Sequence, residues 1–85
     1  MAGYLDADDL DKYILMACRL LLKDGPVFAT AVSLILREYG HPVSAVAVGR
    51  WLRRSKAFKR HRRWWGNLWT PLPTRLERLY REHGL

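Results

Sequence analysis

The chain has 85 residues, nearly half of them apolar and about one in eight aromatic, with one cysteine and a formal net charge of +7. That size builds one small core with no separate catalytic module, the apolar share excludes a disordered chain, and a lone cysteine excludes an internal disulfide. The charge is segregated: residues 50–63 hold eight Lys or Arg and no acid, whereas residues 1–49 sum to −2 and residues 64–85 to +1.

In chain order, Asp6 is placed to cap a first helix beginning near Ala7, with Asp8, Asp9 and Asp11 at the positive end of its dipole. Leu10, Ile14, Ala17, Cys18 and Leu21 recur at spacings of three and four, widened by Tyr13 and Leu22, while Lys12, Arg19 and Lys23 face away. Asp24, Gly25 and Pro26 stop this helix. A second helix is expected over residues 27–39, with Phe28, Ala31, Val32, Ile35 and Leu36 on one side. Val27, Leu34 and Tyr39 extend its apolar surface, which predicts a helix wedged between partners. Gly40 ends it, and Gly40, His41, Pro42 and Val43 form a short turn before Ser44, the expected cap of a third helix.

On that third helix Ala45, Val48 and Leu52 share one face with Trp51 at its border, and Arg50, Arg53 and Arg54 share the opposite face. Residues 55–58 are compatible with helix continuation, a further short helix or a strand, with Phe58 buried in each case. Gly66-Asn67 predicts a two-residue hairpin loop, Gly66 taking the positive φ of a mirror-type turn. That loop would pair Trp65 with Leu68, Trp64 with Trp69 and Arg63 with Thr70, between strands near 60–65 and 68–71. Pro71 and Pro73 end the ribbon. Thr74 with Glu77 reads as a capping box for a last helix striped by Leu76, Leu79 and Tyr80 and closed by Gly84.

Catalytic and metal chemistry find little support. Cys18 sits in an apolar pattern as an inert thiol, and His41, His61 and His83 lack ligand spacing and read as turn, ribbon and helix-end residues. The isolated glycines form no phosphate-cradling loop. The expectation is a non-enzyme with no metal and no cofactor. The acidic start lacks the regions of a signal peptide and the apolar runs are too short for a bilayer, so a cytoplasmic location without membrane binding is expected. Eleven Arg against four Lys, no Gln and one Asn fit a thermophilic, archaeal source or a GC-rich genome.

The order helix, helix, Pro-Val-Ser turn, helix, ribbon with Trp-Gly-Asn-Leu-Trp and terminal helix resembles the winged helix-turn-helix superfamily over residues 27–71. The fold class expected is mainly α with a small β-hairpin, in the order α-α-α-β-β-α. The resemblance implies a helix in the DNA major groove, a wing on the adjacent backbone or minor groove, and frequent use in RNA and protein binding. Two alignments fit. The favoured one makes residues 44–54 the recognition helix, presenting Val46, Arg50, Arg53 and Arg54; the other makes it a short helix near 55–62, presenting Lys56, Lys59, Arg60 and Arg63. An arginine-dominated face departs from the Asn, Gln, Ser and Thr that usually read bases.

The leading reading is therefore a nucleic-acid binder, DNA ahead of RNA. In it Arg50, Arg53, Arg54, Lys56, Lys59, Arg60, Arg62 and Arg63 meet phosphates, and Trp65 and Asn67 stand at the hairpin tip. A ribosome-associated or other RNA-binding protein is the alternative. A protein-interaction module is the second, with Leu10, Tyr13, Ile14, Leu76, Leu79 and Tyr80 either completing the core or forming a homodimer face.

Overall fold

The computed structural model describes residues 7–85; the expected cap at Asp6 lies outside them. Four helices and one hairpin follow in the order α1 (Ala7–Leu22), α2 (Ala29–Glu38), α3 (Ala45–Ser55), β1 (Phe58–Arg63), β2 (Gly66–Pro71) and α4 (Pro73–Glu82). This is a winged helix-turn-helix-like arrangement. Its core is continuous, built from Ile14, Leu15 and Cys18 of α1, Val32 and Leu36 of α2, Val48, Trp51 and Leu52 of α3, Phe58 and Trp69 of the hairpin, and Leu76 of α4. Ile14 and Leu76 thus belong to the core, while Leu10, Tyr13, Leu79 and Tyr80 pack half-buried against it.

The helix-turn-helix unit is held by local chemistry. Tyr39, Gly40 and His41 close α2 as a Schellman motif, with Gly40 N–H on the Arg37 carbonyl and His41 N–H on the Leu36 carbonyl. Gly40 takes φ +85° there. Ser33, buried on α2, donates its hydroxyl to the Val43 carbonyl at 2.5 Å and ties down the turn. Ser44 then caps α3 as expected, its oxygen accepting from Ala47 N–H at 3.1 Å.

Four expectations are corrected. Residues 27 and 28 are extended rather than helical: Val27 and Trp69 exchange backbone hydrogen bonds of 2.8 and 2.9 Å, so a single bridge adds a third line of pairing beside β2. Pairing and full burial of a β-branched side chain outweigh one more helical turn. The second helix is also not enclosed, since Leu34 and Tyr39 are exposed. The last helix begins at Leu72–Pro73, with no side-chain cap, instead of using the Thr74 box. Leu72 N–H is already engaged by the Ala57 carbonyl at 2.8 Å, and proline's fixed φ suits the first helical position.

The hairpin correction matters most. Its loop is Trp64-Trp65, not Gly66-Asn67; Arg63 pairs with Gly66, Arg60 with Trp69 and Phe58 with Pro71. The observed register pairs six positions on each strand, whereas a Gly66-Asn67 loop would leave residues 58–61 without partners before β2 ends at Pro71. Gly66 does take a positive φ, +140°, but as the first residue of β2. The displacement is an even number of residues, so side-chain alternation is preserved and Trp69 still points inward.

Candidate nucleic-acid interface

The α3 spacing separates anchor from presentation. Val48, Trp51 and Leu52 are buried, and opposite them Val46, Arg50 and Arg53 point to solvent, with Ala47 and Arg54 on one flank. Ala47, Arg50, Arg53 and Arg54 line one shallow surface depression. The helix is braced from behind by Trp51, whose indole N–H donates to the Asp11 carboxylate of α1 at 2.5 Å.

β1 starts three residues after α3 ends, so the alternative alignment with a recognition helix at 55–62 is overturned: residues 58–63 are strand. Lys56 makes the reversal possible. It sits in the left-handed region at φ 58°, ψ 14°, and among the described residues it is the one non-glycine with positive φ. Ser55 supports the corner, its hydroxyl donating to the Leu52 carbonyl and accepting from Ala57 N–H.

On the ribbon the basic residues divide by strand alternation. Lys59 and Arg63 lie on the outward face with His61, whose ring nitrogen is 2.9 Å from the Thr70 hydroxyl. Arg60 and Arg62 lie on the inward face, Arg60 half-buried opposite Trp69 and Arg62 exposed near the tip opposite Asn67. Asn67 is therefore a strand residue. Trp65 is in the loop, half exposed, tilted against Phe28 with ring centroids 5.8 Å apart. Trp65 and Asn67 reach α3, since both line a groove of about 420 Å³ with Phe28, Ala45, Val46 and Gly49. Across this groove the wing tip stands beside the N-terminal half of α3.

The ten predicted residues thus occupy one helix, its C-terminal corner and the wing, without forming a single flat face. Arg50, Arg53 and Arg54 cluster, and Trp65 and Asn67 join α3 at the groove. Lys56 turns instead toward α4, sharing a surface depression with Arg75 and Arg78. Arg75 donates to the Lys56 carbonyl at 3.2 Å. These two arginines and Phe28 were not among the site residues expected from the sequence. Arg75 and Arg78 lie far from the basic run along the chain, and Phe28 read as a helix-core residue.

The positive charge is concentrated between Arg50 and Arg63. Among the described residues, Arg81 and Glu77 form an ion pair at 3.5 Å, and His83 Nε2 lies 3.9 Å from the Asp11 carboxylate. None of the eight cations between Arg50 and Arg63 has an acidic partner within ion-pair distance among the described residues. Among the same residues, no group of three or more His, Cys, Asp or Glu is disposed to hold a metal ion, and no helix is long and apolar enough to cross a membrane. Cys18 lies wholly in the core, where burial pushes its thiol up to about 12. No family model, curated protein or solved structure matches this chain.

Proposed function

We propose that this domain is a non-catalytic, cytoplasmic binder of double-stranded DNA, with α3 entering the major groove and the hairpin following the adjacent backbone. The observation that carries this reading is the set of eight cations on α3, its corner and the wing, none with an acid within ion-pair distance among the described residues. Placing so many like charges together costs self-repulsion that a phosphate backbone relieves. DNA is favoured over RNA by shape. A projecting helix enters the wide major groove of B-form DNA, whereas the major groove of an A-form RNA helix is too narrow for side chains to read. Val46, 64% exposed at the centre of the presented face, suits apolar contact with a thymine methyl group. The remaining face is arginine, which supports tight, salt-sensitive binding with little base discrimination.

With roughly six phosphates neutralised, log affinity falls with log salt at a slope of about −5 on duplex DNA. A salt titration measures this, and a flat response overturns the reading. Competition of double-stranded DNA, double-stranded RNA and single strands against one labelled duplex tests the polymer: RNA displacing it more effectively than DNA would move the assignment to RNA.

A further inference from the structure

Phosphate contact does not account for the wing tip. Trp64 is 95% exposed, while its neighbour Trp65 is half covered and rests against Phe28. Arg63 and Gly66 are paired on either side, so the loop is only two residues long. Trp65 thus braces the tip against the entrance to α2 and leaves Trp64 standing clear. Arg62 and Arg63 precede it on opposite faces of the ribbon, both exposed. The tip therefore offers a large flat apolar surface with two arginines at its root, the Arg63 guanidinium donating to the Arg62 carbonyl at 3.0 Å.

That combination fits a planar group set between anions, which is a nucleobase on its sugar-phosphate backbone. Within an intact duplex both faces of each interior base are covered, and opening a step costs about as much as one indole–base stack returns. The gain is realised only where a base is already unstacked. Resting on the DNA-binding reading above, we infer that Trp64 is a stacking site for an unpaired base. The domain then prefers a duplex carrying an unpaired base, or ending in a single-stranded extension, over the same duplex intact.

Titration of the full chain with a short duplex, and with that duplex carrying one central unpaired thymine, tests this at a single salt concentration. The wild type binds the interrupted duplex about 5- to 150-fold tighter, the range of one base–aromatic stack. Trp64→Ala brings the ratio close to one and leaves intact-duplex affinity, salt slope and thermal midpoint unchanged; Trp64→Phe keeps most of the preference. Equal affinities for the two DNAs in the wild type, or equal weakening of both by Trp64→Ala, overturn the inference while leaving the DNA-binding reading intact. Failure to bind either DNA at low salt overturns both. If anionic lipid vesicles shift the tryptophan emission of the wild type but not of Trp64→Ala, and no unpaired-base preference exists, the tip is a membrane contact and the inference falls.

Discussion

Trp51 on α3 and Asp11 on α1 are joined by an indole-to-carboxylate hydrogen bond that spans forty positions of sequence. It fixes the buried side of the helix whose opposite side carries Arg50 and Arg53. Asp11→Ala leaves the mostly buried indole N–H without its acceptor and is expected to cost about 1–3 kcal/mol in urea unfolding. Asp11→Asn keeps a side-chain oxygen and recovers part of that loss.

Two tryptophans of the hairpin behave oppositely. Trp69 is 4% exposed and hydrogen-bonded through its backbone to Val27, so Trp69→Ala is expected to cost about 3–5 kcal/mol. Trp64→Ala changes stability by less than about 0.5 kcal/mol. Denaturant midpoints of the two variants, compared with wild type, check the contrast and with it the loop position.

Charge reversal separates binding from folding. Arg53 and Arg54 are exposed and without an acidic partner within 4.0 Å among the described residues. Arg53→Glu combined with Arg54→Glu is therefore expected to abolish duplex binding at physiological salt, with the thermal midpoint nearly unchanged. Loss of the folded state instead would make these side chains structural.

At Lys56 the demands of backbone and ligand diverge. Its left-handed conformation is strained for a residue with a Cβ, so Lys56→Gly is expected to stabilise the fold by about 0.5–1 kcal/mol. The same change removes one cation, and the salt slope should become shallower by about 0.9 if that cation meets a phosphate. Unfolding and salt titration of one variant read both effects.

The Cys18 thiol gives a pH signature. Burial raises it from 9.0 to about 12, so between those values the unfolded chain releases a proton that the folded chain retains. Rising pH then favours unfolding. Cys18 contributes a loss of about 1.4 kcal/mol per pH unit above about pH 9 and nothing below it. Burial also raises Tyr80 against the opposing Arg19 guanidinium, which lies 4.3 Å from its ring centroid, so the decline steepens above the ordinary tyrosine range. Thermal midpoints against pH should fall less steeply in Cys18→Ala than in wild type.

Local signals in the sequence located much of the fold. The Ser44 cap, the Gly40 and Gly84 helix ends, the Val48–Leu52 anchor opposite Arg50 and Arg53, and the burial of Phe58 all follow from residues within a turn or two of one another. Capping, φ preference and helical period act over that range, so a single sequence displays them. The predicted capping box at Thr74 failed because a longer-range contact intervened: Leu72 N–H was held by Ala57, and the helix started at Pro73.

The hairpin shows where local reading stops. Gly66-Asn67 is a strong turn signal, yet pairing from Phe58 to Pro71 and the bridge from Val27 to Trp69 moved the loop to Trp64-Trp65. Register depends on which hydrophobic residues meet across the core and how many ladder bonds each alternative closes. Tertiary packing likewise set Lys56 beside Arg75 and left Trp64 exposed at the tip. Composition and spacing determined that the chain would build a small core and gather its positive charge on one helix and a ribbon. Only packing decided which aromatic entered that core and which remained outside it, because the sum of distant contacts, not a local propensity, selects between equally apolar side chains.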